Sequence, residues 1–128
     1  MASPSRSLQA TALSMTCLSI GHTIGGRQWT ADPIYGAITG SKPWALGIVG
    51  WYQGSAFFLM SGFLHYQWAS NPRLLQQPTN KAIAIIMNGM LWASSAWYFR
   101  HGIKENGWVV GFGAALQAWA VVRAWVKY

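Results

Sequence analysis

Four long stretches of the sequence are apolar and nearly free of charge. They cover approximately residues 8–26, 44–69, 82–99 and 108–126. Each is close to the length of about 20 residues that an α-helix needs to cross the hydrocarbon core of a bilayer. The pattern predicts an all-α protein, a four-helix transmembrane bundle, with residues 1–128 forming a single integral membrane domain.

The segments between these stretches carry residues that end helices. They are residues 27–43, 70–81 and 100–107, and they contain Pro33, Gly36, Gly40, Pro43, Pro72, Pro78, Gly102, Asn106 and Gly107. Trp and Tyr concentrate near the junctions, as they do where membrane helices meet the headgroup region. We therefore expect these segments to be the turns of helical hairpins.

The first stretch has an alternative interpretation. It is the least apolar of the four, because it contains several hydroxyl side chains and His22, and Arg6 precedes it. A basic residue ahead of a short apolar run is also how a secretory signal peptide begins. No small-residue cleavage site follows, and Ser and Thr can bond back to their own helix, so a retained span is favoured.

The composition supports lipid as the solvent. Hydrophobic residues make up 52% of the chain and charged residues 9%, which is too little charge to cover a soluble globule of this size. The net charge is +7, because nine Lys and Arg face only Asp32 and Glu105. The basic residues stand singly between the apolar stretches, so a lipid bilayer, and no nucleic acid, is the predicted partner. Cys17 has no second Cys and no paired-His motif occurs, so neither metal nor cofactor is predicted.

Glycines recur in pairs four residues apart. The pairs are Gly21 with Gly25, Gly50 with Gly54, and Gly107 with Gly111. In lipid, such small residues let helix backbones approach closely, and packing holds the helices together. We expect these pairs to close the bundle on itself rather than to form a dimer.

Five polar side chains interrupt the apolar stretches: His22, Gln53, His65, Asn88 and Gln117. Such groups are costly in lipid and mark either helix contacts or functional sites. At about 1.5 Å per residue, His22 lies roughly 7 Å from the end of its helix, and Gln53 lies roughly 13 Å from the same membrane face. Asn88 and Gln117 fall near mid-membrane, so four of the five are expected to converge on one cavity. His65 belongs to the opposite end of the bundle.

The acids are expected at the mouth of this cavity. Four crossings put the loops that carry Asp32 and Glu105 on the same side, with His101 close to Glu105. Imidazole titrates near neutrality, and a carboxyl group can exchange a proton with it. His22, Asp32 and Glu105 are therefore the candidate catalytic residues.

Substrate binding is assigned to the amides and to one aromatic side chain. Gln53, Asn88 and Gln117 can hold polar groups of a substrate, and the ring of Trp92 can hold a lipophilic guest. These four residues are the candidate substrate-binding set.

Most of these residues also have a structural interpretation. Asp32 precedes Pro33 and can simply initiate a turn. Glu105 can pair with a neighbouring Lys or Arg at the surface, and the amides of Asn88 and Gln117 can serve only to link helices. Both interpretations stay open at this point.

A short motif ends the first stretch. The run Gly21-His22-Thr23-Ile24-Gly25-Gly26 resembles a Gly-His-Thr-x-Gly signature of small four-span integral membrane proteins of bacteria and fungi. Fungal chains of this kind are similar to the integral membrane members of secondary-metabolite biosynthesis clusters. The resemblance implies that His22 and Thr23 are the matched positions and that the protein tailors a polyketide or terpenoid.

The leading functional hypothesis is a membrane-embedded enzyme that performs acid/base chemistry on a lipophilic small molecule without a cofactor. Isomerisation, cyclisation and epoxide opening are the reactions considered. The protein is expected to cross its membrane several times. In a eukaryote, that membrane is expected to be the endoplasmic reticulum. The alternative is a non-catalytic membrane subunit or lipophile-binding protein with a membrane protein partner. Transport is a weaker third hypothesis, because no acid lies within a span.

Overall fold

The computed structural model describes residues 5–128, and within them the protein is all α-helical. Four long helices are present: α1 (Arg6–Thr30), α3 (Lys42–Ser70), α4 (Pro78–Arg100) and α5 (Lys104–Lys127). One further turn of helix, α2, covers Pro33–Gly36, and a 3₁₀ helix covers Pro72–Gln76. The prediction of an all-α protein is therefore confirmed for the described residues. Each long helix encloses one predicted apolar stretch and extends beyond both of its ends.

Several residues that were expected to lie in turns belong to helices. Pro33 and Pro78 stand at the starts of α2 and α4, because proline at the first position of a helix lacks an N–H that would be unpaired anyway. The connection predicted over residues 100–107 is shorter, since α5 begins at Lys104 and includes Asn106 and Gly107. The chain turns at Gly102, whose φ of +76° is accessible to glycine at little cost.

The described chain divides into two compact units. The first consists of the segments up to Ala12 and from Phe63 to Tyr128, and the second consists of Leu13–Gly62. Residues 1–4 of the first unit lie outside the described residues. Whether residues 1–128 act as a single domain stays a prediction.

In the first unit, α4 and α5 pack against each other and against the 3₁₀ helix. Two indole N–H groups make hydrogen bonds between elements. Trp125 Nε1 on α5 donates to the carbonyl of Leu75 in the 3₁₀ helix at 3.0 Å, and Trp68 Nε1 on α3 donates to Asn80 Oδ1 on α4 at 2.9 Å. The side chains buried between these elements are mostly small or aliphatic, namely Leu75, Ala84, Met87, Leu91, Val110, Ala114, Ala120, Val121 and Ala124.

Small residues bring α4 and α5 close together. Ser95 on α4 donates its hydroxyl to the carbonyl of Gly107 on α5 at 2.8 Å. A Cβ at Gly111 would lie 2.8 Å from Ser95 Oγ, and a Cβ at Gly107 would lie 3.0 Å from the ring of Phe99. The expectation that Gly107 and Gly111 serve close helix packing within the chain is therefore confirmed for this helix pair.

In the second unit, close contacts join α1 to α3. Trp51 Nε1 donates to the carbonyl of His22 at 2.6 Å, and a Cβ at Gly26 would lie 2.6 Å from that same nitrogen. A Cβ at Gly25 would meet the Trp51 ring at 3.6 Å, which is ordinary contact. Gly21 and Gly50 have no atom within 4 Å of an added Cβ among the described residues. Of the four paired glycines in this unit, only Gly25 and Gly54 therefore lie in contacts between α1 and α3, and Gly54 faces His22.

Many large apolar side chains lie on the surface. They are exposed on all four long helices, with Val126 exposed to 84% and Phe112 to 68%. Several polar side chains are buried beside the apolar core, namely Thr11, Ser19, Ser55, Ser61, His65, Ser95 and Gln117. By length and composition, two of the four long helices, α4 and α5, are apolar enough to cross a membrane, so the four-helix transmembrane bundle stays a prediction.

Gly111→Ala is expected to destabilise the pairing of α4 with α5. The added Cβ meets Ser95 Oγ, which cannot move without giving up its bond to the Gly107 carbonyl, so we expect a loss of about 1–3 kcal/mol, as for other overpacked sites. Gly89→Ala is the matched control, because an added Cβ there meets nothing within 4 Å. Thermal unfolding in a mild detergent checks both. An unchanged or higher melting temperature for Gly111→Ala would contradict the close packing.

Candidate functional site

The candidate site of the second unit is built around His22. The imidazole is half-buried, stacks on the indole of Trp51 with centroids 3.9 Å apart and planes 12° apart, and meets the edge of Phe58 at 5.4 Å. Trp51 in turn donates its indole N–H to the His22 carbonyl at 2.6 Å. These contacts hold the ring in one orientation between α1 and α3.

The two nitrogens of the His22 ring have different surroundings. Nδ1 lies 3.0 Å from the hydroxyl oxygen of Ser55, whose carbonyl accepts a hydrogen bond from Ser19 Oγ at 2.8 Å. Nε2 has no hydrogen-bond partner among the described residues. When the Ser55 hydroxyl donates to Nδ1, the neutral ring carries its proton on Nε2 and can donate a hydrogen bond there, whereas the proton-donating form is the imidazolium, in which Nδ1–H donates to Ser55. When Nδ1–H of the neutral ring donates to Ser55, Nε2 presents a lone pair and can accept a proton, so the pair supports either role.

Gly54 allows His22 to lie against α3. A Cβ at this position would come within 2.9 Å of His22 Cε1 and 3.4 Å of Nε2. Because Ser55 holds the other edge of the ring, the imidazole cannot move away without losing that bond. Glycine at this position is therefore a requirement of the site.

Trp29 adds an unsatisfied donor to the same aromatic group. Its ring lies 5.3 Å from that of Trp51 and 4.3 Å from that of Tyr35. Its Nε1 is buried and has no hydrogen-bond partner among the described residues. A buried N–H without an acceptor costs about 1–3 kcal/mol.

Asp32 and Glu105 both lie at helix N-termini. Asp32 is exposed, and its Oδ1 accepts a hydrogen bond from the backbone N–H of Ile34 at 2.8 Å, so the carboxylate caps α2. This is the turn-forming role that the Asp-Pro pair allowed. Glu105 is exposed in the first turn of α5, in the other compact unit. A catalytic role for either acid stays a prediction.

The structure brings Asn88 and Gln117 together. Asn88 Nδ2 donates to Gln117 Oε1 at 2.7 Å and to the carbonyl of Ala114 at 2.8 Å, and the buried Gln117 donates through Nε2 to the carbonyl of Ala84 at 3.2 Å. Each amide therefore bonds across the interface between α4 and α5. The donors predicted to bind a substrate are engaged in linking these helices.

The remaining predicted residues lie on exposed faces. Gln53 is exposed on α3, Trp92 is exposed on α4, and Thr23 donates its hydroxyl to the Ser19 carbonyl of its own helix at 2.8 Å. The predicted cavity was to unite His22 and Gln53 with the amide pair. Since these groups belong to different compact units, their convergence stays a prediction.

The two other histidines, His101 and His65, lie away from His22 in the sequence and make contacts of their own within the first compact unit. His101 caps the C-terminus of α4 and donates from Nδ1 to the carbonyl of Trp97 at 2.9 Å. His65 is fully buried and meets Trp68 edge-on at 5.0 Å. Among residues 5–128, no group of three or more His, Cys, Asp or Glu side chains is arranged to hold a metal ion.

Sequence reasoning missed the neighbours that define the site. Trp51 and Trp29 were expected only as aromatic residues at the membrane interface, and Ser55 was not singled out, although its hydroxyl is bonded to His22. One signal was present: Ser19 and His22 are three residues apart, so they share a face of α1 and point at a common partner. That partner is Ser55, which adjoins Gly54.

No protein-family model, curated protein or solved structure matches this chain.

Asn88→Leu is expected to destabilise the protein, and adding Gln117→Leu is expected to restore part of the loss. The single change leaves the buried Oε1 of Gln117 without its donor, at a cost of about 1–3 kcal/mol, whereas the double change removes both polar groups. Gln53→Leu, at an exposed amide, serves as the control. Unfolding in detergent measures all four proteins. A neutral Asn88→Leu would show that the amides are not needed to link the helices.

Proposed function

We propose that the four long helices cross a membrane and that His22 performs acid/base chemistry on a lipophilic small molecule bound beside it. The observation that carries this proposal is the environment of the imidazole. Its Nδ1 is bonded to Ser55 and its face rests on Trp51, while its Nε2 has no partner among the described residues.

The proposed crossing by α1 and α3 rests on charge and exposure. No charged residue lies between Arg6 and Arg27 in α1, or between Lys42 and Arg73 in and after α3. Both helices expose large apolar side chains, such as Ile24 at 57%. In water this surface would be unfavourable, whereas in lipid it needs no cover. In a eukaryotic cell the expected membrane is that of the endoplasmic reticulum.

The chemistry that suits this arrangement needs no co-reactant. In an isomerisation, Nε2 takes a proton from carbon and the resulting imidazolium returns it at a second atom, so the ring ends in its starting state. In a cyclisation or an epoxide opening by a hydroxyl of the same molecule, the imidazolium form of His22 gives its Nε2 proton to the substrate, and the neutral ring then takes a proton back from the cyclised carbocation or oxonium ion. Ser55 supports both steps, because its hydroxyl can donate to or accept from Nδ1.

The neighbouring aromatic side chains indicate the class of substrate. Phe58 and Trp51 contact the His22 ring and Trp29 contacts Trp51, so the surroundings of the imidazole are largely apolar. A largely hydrocarbon molecule with one or few oxygen atoms fits these groups. The resemblance of the Gly21–Gly26 motif suggests a polyketide or terpenoid in secondary-metabolite biosynthesis.

The second candidate function is a non-catalytic lipophile-binding protein or membrane subunit. It is favoured by the hydrogen bonds of three residues that were predicted to act in catalysis or substrate binding. Asp32 caps a helix turn, and Asn88 and Gln117 link α4 to α5. In this case His22 would only secure the contact between α1 and α3, and the exposed apolar side chains would meet a membrane protein partner.

If all four long helices cross the membrane, the connecting segments must alternate between its two sides. In a chain in which Cys17 is replaced by Ser, single cysteines at Thr39, Arg73 and Ile103 are tested with a membrane-impermeant maleimide on sealed vesicles. Thr39→Cys and Ile103→Cys are expected to react from one side and Arg73→Cys from the other. Labelling of Thr39→Cys and Arg73→Cys from the same side would show that α3 does not cross.

His22→Gln is expected to abolish product formation. The loss of an acid/base group lowers rates by about 10²–10⁴-fold, so the product should disappear and its precursor accumulate in metabolite profiles of cells that carry only the variant. Gly54→Ala, which displaces the ring, should act in the same direction, and Gly50→Ala on the same helix is the matched control. Protein abundance in the membrane fraction is measured in parallel. Normal product from His22→Gln at equal abundance would favour the non-catalytic function.

A further inference from the structure

A second polar site lies in the first compact unit, at the N-terminal turn of α1 and the last turns of α5. It is a pocket of about 470 Å³ lined by Arg6, Arg123 and Lys127, with the hydroxyls of Ser5 and Ser7 beside them. No acidic side chain is among its lining residues.

Aromatic rings hold two of these cations. The guanidinium carbon of Arg123 lies 5.5 Å from the ring centre of Trp119, and Lys127 Nζ lies 5.2 Å from that of Tyr128. A cation over a ring keeps its N–H groups available at its edge, so both side chains can still donate to a ligand. Ser5 and Ser7, whose hydroxyls are 3.1 Å apart, add two more groups able to donate.

The helix dipoles stabilise only two of the three cations in this pocket. Arg123 and Lys127 stand near the C-terminus of α5, where a cation is favourable. Arg6 stands in the first turn of α1, where the dipole disfavours a cation. Three cations that share one pocket also repel one another, so an anion in the pocket would lower the energy of all three.

We propose that this pocket binds a phosphate ester and that the ester is the headgroup of an anionic phospholipid. Guanidinium and ammonium groups are the usual partners of phosphate oxygens, and hydroxyls complete such sites. The lipid source rests on the membrane insertion proposed above: the pocket lies at the ends of apolar helices, and Trp119 and Tyr128 are the residue types enriched at the headgroup level. The phosphate chemistry itself does not depend on His22.

The test uses the full chain in an uncharged detergent, with binding measured by native mass spectrometry and by the rise in melting temperature. The probes are short-chain phosphatidate, short-chain phosphatidylcholine and glycerol 3-phosphate. Phosphatidate is expected to bind most tightly, and more weakly as salt is raised. Arg123→Gln with Lys127→Gln should weaken its binding by roughly tenfold or more, and Arg6→Gln should act in the same direction. Arg100→Gln, at the C-terminus of α4, is the matched control.

Each outcome decides a part of the proposal. Equal binding of glycerol 3-phosphate would support the phosphate site and overturn the lipid source. Equal weakening by Arg100→Gln, or absence of phosphatidate binding to a folded chain, would overturn the pocket. His22→Gln is expected to keep full phosphatidate affinity, so a failure of the proposed acid/base function and a failure of this site are separately visible.

Discussion

The pairing of α4 with α5 depends on two side-chain amides. A helix satisfies its own backbone groups, so a neighbouring helix can be held in register only by side chains. Asn88 and Gln117 meet this need, because Asn88 donates to Gln117 and each amide also donates to a backbone carbonyl of the facing helix. Such bonds form only when the backbones are close, and the contacts at Gly107 and Gly111 provide that closeness. The small residues and the amides therefore act together at the same interface.

The sequence predicted the helices well and the site only in part. Long charge-free stretches located all four long helices, because their apolar length is a local property that tertiary contacts do not change. Helix ends were less predictable, since Pro33 and Pro78 start helices and Gly107 lies inside one. Ser55 was missed as the partner of His22, because the two are distant in sequence and meet only once α1 packs on α3. The helix-linking role of Asn88 and Gln117 and the turn-forming role of Asp32 were recognised as alternatives, but sequence alone offered no means to choose them.

Polar groups occur in two different settings in this apolar chain, around His22 and in the basic pocket. The imidazole is half-buried and is held by one hydroxyl and one indole, an arrangement that limits its contacts to a small guest. The cations of the pocket are exposed at helix ends and can meet a large, charged partner. In the functions proposed above, the first site changes a molecule and the second anchors one. Because they lie in separate compact units, a change at one need not disturb the other.

The close approach of His22 to α3 has a consequence for how this sequence can drift over evolutionary time. Any side chain at Gly54 collides with the imidazole, and any side chain at Gly26 collides with the indole of Trp51, so these two codons tolerate no missense change while the stack persists. Gly21 and Gly50 occupy the same helices without such neighbours. Among natural variants of this chain, the first two positions should remain glycine as long as His22 and Trp51 remain, and the other two should vary freely.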